Sequence, residues 1–157
     1  MKLSLKNLGF GSFMNLIAAV LGLVGLIAML VSNNIDTAYA LKSVSTLTLY
    51  GILGVALLLV AIWSPTKFGN HDYISSIANV AAIALFMAVV GPMILDRILM
   101  IAGLFSYNSQ NATGWRVFSA VVVSAVAYVL ACVFAILGSF TKSVRNQKVQ
   151  VVAADAE

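Results

Sequence analysis

Long uninterrupted apolar runs alternate with short polar connections along this chain. The runs extend from about Met14 to Val31, Val44 to Trp63, Ile74 to Leu95 and Val117 to Phe140. Each is close to the about 20 residues that a helix, rising about 1.5 Å per residue, needs to cross about 30 Å of hydrocarbon. The runs are continuous and do not alternate with a period of two, which excludes the strands of a membrane barrel. The predicted fold is therefore all-α: an integral membrane four-helix bundle, polytopic, with residues 1–157 as a single transmembrane domain.

Lysine and arginine near the span ends set the expected orientation. Lys2, Lys6, Lys67, Lys142, Arg145 and Lys148 share one side, whereas Lys42, Arg97 and Arg116 share the other, six against three. This bias predicts a cell-membrane protein with both termini cytoplasmic and a tail, residues 141–157, that is basic and then acidic. Trp63, Phe68 and Tyr73 then bracket the inner loop, and Tyr107 and Trp115 the outer one, as interfacial aromatics do. Ala38-Tyr39-Ala40 has the small-x-small form of a signal peptidase site. The preceding apolar run is longer than the about 7 to 15 residues of a signal core, however, and is read as a span.

Composition agrees with this pattern: 62% of residues are apolar and 9% charged. A water-soluble domain of this size hides only about 70% of its unfolded surface and would expose much of that apolar excess. The formal net charge of +4 comes mainly from the inner side. With no aromatic-interleaved basic patch it points to the bilayer and not to nucleic acid.

Spanning helices associate where small residues let them approach closely. Such stripes occur at Ala18, Gly22 and Gly25; at Gly51 and Gly54; at Ala81, Ala84, Ala88 and Gly91; and at Ala120, Ser124, Ala127, Ala131, Ala135 and Gly138. All four are expected to face one another inside the bundle, with an oligomer contact as the alternative use.

The chain has one His, His71, and one Cys, Cys132, too few for a zinc site. His71 and Asp72 read as a solvated turn in which Asp72 caps the third span. No acid or base lies at the depth of Ser124 or Cys132, so nucleophilic catalysis and proton relays are disfavoured, and no cofactor is expected. Two polar features remain. Asn79, with Ser75 and Ser76, forms a patch in the third span, expected to act as helix glue or else to line a pore. Asp96 and Arg97 follow Pro92, where a kink or break is expected, and the apolar stretch 98–105 either continues the helix or turns into the interface. Neighbours on a helix point about 100° apart, so the pair is not expected to face itself, and Arg97 is expected to snorkel towards headgroups. Tyr107, Asn111 and Trp115 belong to an amide- and hydroxyl-rich outer loop, 106–116, suited either to a polar ligand or partner or simply to solvation. Asn111-Ala112-Thr113 also matches the glycosylation acceptor pattern.

The leading expectation is a small multi-pass protein without catalysis, an accessory or scaffold subunit of a larger membrane assembly. The alternative is an oligomeric channel or transporter component, and an outer-loop enzyme is a distant third.

Overall fold

A computed structural model describes residues 9–68 and 73–141, with backbone alone for 66–68. Its regular elements are α-helical apart from a 3₁₀ turn at Thr37–Tyr39. The helices are α1 (Phe10–Asn34), α2 (Val44–Phe68), α3 (Tyr73–Leu95), a short α4 (Ile98–Ser106) and α5 (Ala112–Ser139). Four stretches are long and apolar enough to cross a membrane: Phe10–Asn34, Val44–Pro65, Tyr73–Leu95 and Ala112–Ser139. α1 packs mainly on α5 and also on α2, and α3 packs on both α2 and α5. Residues 35–43 and 96–111 meet at one end of the long helices, through hydrogen bonds described below. At the opposite end, Gly11 of α1 lies against Gly138 and Thr141 beyond α5.

The helices overrun the apolar runs because the polar flanks still form helix. α5 begins five residues before Val117, since Asn111 caps it: its Oδ1 accepts from the Gly114 amide at 2.9 Å, satisfying one free donor of the first turn. α2 continues through Pro65, which has no N–H and so leaves the Ala61 carbonyl without its helical partner. Ser75 of α3 supplies the missing donor, its Oγ lying 2.9 Å from that oxygen. A hydroxyl expected to be part of a polar patch is thus used to close a proline gap in the neighbouring helix. Ser76 is exposed, so the patch divides: Ser75 and Asn79 face inward and Ser76 outward.

The centre is built from two rings seated in glycine notches. Phe86 of α3 fills the space beside Gly22 and Gly54, where an added Cβ would approach ring atoms to 2.7 and 2.5 Å respectively. Tyr128 of α5 lies over Gly25 and Gly51, at 3.0 and 2.8 Å by the same measure. The ring centroids are 5.1 Å apart and tilted at 43°, an attractive arrangement for aromatic pairs. The small residues of α1 and α2 therefore act chiefly as sockets for aromatic rings. Close backbone approach occurs as well: Ser124 Oγ donates to the Gly25 carbonyl at 2.7 Å, joining α5 to α1. Asn15 is fully buried beside Gly138, and neither of its amide atoms has a hydrogen-bond partner.

Three of the small-residue stripes lie largely inward: those of α1 and α2, and that of α5 except for half-buried Ala120. The stripe Ala81, Ala84, Ala88 and Gly91 does not. Ala84 and Ala88 are exposed, and a Cβ at Gly91 would meet nothing within 4 Å. α3 instead buries Ala78, Ala82, Phe86, Val89 and Met93, because the Phe86 ring needs the notches on α1 and α2 and turns the alanine face away.

The two faces predict opposite responses to one methyl group. Gly54→Ala collides with the Phe86 ring and should cost about 1–3 kcal/mol, as overpacking does. Gly91→Ala, in open space, should stay within about 0.5 kcal/mol of wild type. Reversible unfolding in bicelles measures both, and Phe86→Leu should rescue the first; equal effects at the two glycines would contradict the notch packing.

Candidate functional site

α3 passes through Pro92 and stops at Leu95, so the expected interruption falls just beyond the proline. The Asp96 amide still donates to the Pro92 carbonyl at 2.9 Å, but the Arg97 amide turns to Ile94 at 3.1 Å, tightening from four residues back to three. Arg97, at φ −117° and ψ 5°, then caps α4. The stretch 98–105 is therefore a separate helix.

This turn drives the Arg97 side chain inward, where snorkelling was expected. Arg97 is 2% exposed. Its Nε donates to the Tyr39 carbonyl at 3.1 Å and its Nη1 to Ser32 Oγ at 2.7 Å. Ser32 in turn donates to the Met29 carbonyl at 2.7 Å, so its hydroxyl is oriented to receive the guanidinium. Nη2 is buried with no partner. Asp96 points elsewhere, as the offset between neighbours predicts, and its Oδ2 accepts from the Lys42 amide at 3.2 Å. Burial pulls the Arg97 pKa below its usual range while the Asp96 charge opposes the shift. An arginine nevertheless keeps its proton, so this is a buried cation tied largely to neutral oxygens.

Further bonds fix residues 35–43 over it. Asn33 Oδ1 accepts from the Leu41 amide at 2.8 Å, and Asp36 Oδ1 caps the 3₁₀ turn through the Ala38 amide at 2.9 Å. Asn111, besides capping α5, donates through Nδ2 to the Tyr39 hydroxyl at 2.8 Å. One amide thus joins the start of α5 to the turn between α1 and α2.

Between these segments opens a cavity of about 410 Å³, lined by Tyr39, Lys42, Asp96, Arg97, Tyr107 and Asn111 among others. That volume falls within the about 300–1,000 Å³ of small-molecule sites. Of the residues singled out in the sequence, Asp96, Arg97, Tyr107 and Asn111 come together here, with Tyr107 largely exposed. Trp115 lies outside the lining: its Nε1 donates to the Ser109 carbonyl at 2.7 Å, and its ring meets Phe105 and Phe118 edge-on at 5.1 and 5.6 Å. Asn79 is also apart, buried on α3 with Oδ1 unpartnered, so the helix-glue expectation finds no hydrogen bond at that oxygen. His71 and Asp72 fall outside the described residues, as do the N-terminal and tail lysines.

Sequence reading missed Ser32, Asn33, Tyr39 and Lys42. The signal was present in the polar end of the first run, Ser32-Asn33-Asn34, because a buried arginine on one helix requires acceptors on another. Among the described residues, no group of three or more His, Cys, Asp and Glu side chains comes together that could hold a metal ion. Comparison with known proteins yields no matching family model, no matching curated protein and no matching solved structure.

Ser32→Ala takes the acceptor from Arg97 Nη1 and leaves a second buried charged donor unpaired, which should destabilise by about 1–3 kcal/mol. Asp96→Asn keeps an oxygen for the Lys42 amide and should cost less than about 1 kcal/mol. The same unfolding assay ranks them, and the reverse order would contradict the arrangement around Arg97.

Proposed function

We propose that this chain is a multi-pass cell-membrane protein without catalysis, with both termini cytoplasmic, that serves as an accessory subunit of a larger membrane assembly. The lysine and arginine count supports the orientation, which places the Arg97 cavity on the outer side. The polar groups around Arg97 are largely engaged in holding segments together, a use consistent with a passive folded unit.

One observation carries the accessory reading. The α3 stripe of Ala84, Ala88 and Gly91 has the shape that permits close helix approach, and among the described residues no helix covers it. Lipid tails gain nothing from such a surface, whereas another helix gains packing contacts. A pore built from copies is less well supported, because Ser75 and Asn79 face the chain's own helices and Ser75 is bonded to Ala61.

Photo-cross-linking in native membranes tests this reading. A reactive residue placed at Ala84 or Ala88 should give one discrete adduct with a different protein, and Gly91→Leu should abolish it without loss of helix content. The same probe at exposed Val122 or Leu137 of α5 should give only lipid adducts. An adduct of twice the chain's mass would favour self-association, and lipid adducts alone at all positions would refute the accessory role.

A further inference from the structure

The Arg97 cavity carries features that its structural bonds do not use. Lys42, Asp96 and Arg97 are its charged lining residues, and together they leave one net positive charge. Asp96 is turned to a backbone amide, and Arg97 leaves Nη2 unpartnered but itself buried, so that the cavity meets the charge of the guanidinium and not that donor. α4 lines the cavity along its length, through Leu99, Met100, Gly103 and Leu104.

The outer surface of α4 fixes the surroundings. Ile98, Ala102 and Phe105, at steps of four and three, share one exposed face, and Leu99 beside them is 83% exposed. The opposite face is held by Leu104, buried in the notch at Gly114. An apolar face of this extent is costly in water and favourable at the boundary of acyl chains and headgroups. Leu99 belongs to the cavity wall as well and so joins the cavity to this apolar face.

We propose that this cavity binds a phosphate monoanion and that the phosphate is borne by a phospholipid. The headgroup phosphate lies between Lys42 and Arg97, bonded by the Lys42 ammonium and held by the charge of the guanidinium behind it, and the acyl chains run along Leu95, Ile98 and Leu99. One net positive charge matches a phosphodiester, and an ammonium-to-phosphate bond from exposed Lys42 is of the strong charge-assisted kind. The cavity is concave enough for a headgroup, and the tails remain outside on the exposed leucines.

Native mass spectrometry of the full chain from detergent, with dioleoylphosphatidylglycerol or with dioleoylglycerol, reads retention of the lipid. The expected result is one retained phosphatidylglycerol per chain and no retained dioleoylglycerol, which has the same tails without the phosphate. Lys42 and Ala40 are exposed lining residues, so Lys42→Glu and Ala40→Trp change charge and volume without removing the Arg97 bonds. Each should reduce retention about tenfold or more, a loss equivalent to about 1.4 kcal/mol, while Arg116→Gln, outside the cavity, changes it less than about twofold. A parallel phosphorus NMR titration with inorganic phosphate separates the sources. Binding of free phosphate that both variants abolish, with no lipid retained, keeps the phosphate site and overturns its lipid origin. Equal retention of dioleoylglycerol, or retention untouched by both variants, overturns the proposal.

Discussion

A guanidinium buried at the end of an apolar helix sets the terms for the residues around it. Arg97 cannot shed its proton, and its isolated burial would be prohibitive, so oxygens must be brought to it from other segments. Ser32 comes from the last turns of α1 and the Tyr39 carbonyl from the 3₁₀ turn, while Asp96 occupies the Lys42 amide. Each of these segments is fixed by the need to be there. The connection between α1 and α2, which could have been a loose solvated loop, becomes a formed wall with Asn33, Asp36 and Asn111 holding it from three sides. The cavity is a consequence: segments ordered around a cation cannot also collapse on one another.

Within the long helices the constraint is different. In lipid there is no hydrophobic gain from bringing apolar helices together, and shape must decide the arrangement. Phe86 and Tyr128 supply the knobs, and Gly22, Gly25, Gly51 and Gly54 the sockets. Seating Phe86 determines the rotation of α3 about its axis, and that rotation is why the alanine stripe of the same helix looks outward. The inward polar groups follow similar economy. Ser75 answers a carbonyl freed by Pro65, and Ser124 answers Gly25. Asn15, Asn79 and Tyr128 each bury a polar atom that these contacts do not satisfy.

Much of this was legible in the residues, but unevenly. Run length alone identified the four apolar helices, because hydrocarbon thickness leaves few choices. The stripe on α5 was readable for the same reason, since Ser124, Ala127, Ala131 and Ala135 recur at helical spacing and lie buried. The α3 stripe misled: small residues mark a surface able to pack, and which surface is used depends on where a large neighbour fits. Asp96, Arg97, Tyr107 and Asn111 stood out as polar residues beside an apolar stretch, and they do converge. What could not be read was the direction of Arg97. Snorkelling and burial are both open to a long cation at a span end, and the choice rests on Ser32 and Tyr39, which lie 65 and 58 positions away in the chain. Pro65 and Ser75 offered a local clue to their pairing, a missing donor on one helix and a hydroxyl near the start of the next.

The most direct check of the account is the hydrogen exchange of arginine Nε–H groups. The chain contains three arginines, Arg97, Arg116 and Arg145. With nitrogen-labelled arginine in bicelles, one Nε–H signal should be strongly protected from water, assigned to Arg97 by its loss in Arg97→Lys, and it should become labile in Ser32→Ala as the guanidinium loosens. Three signals exchanging at the rate of free arginine would contradict a buried Arg97 and, with it, the ordered turn and the cavity built upon it.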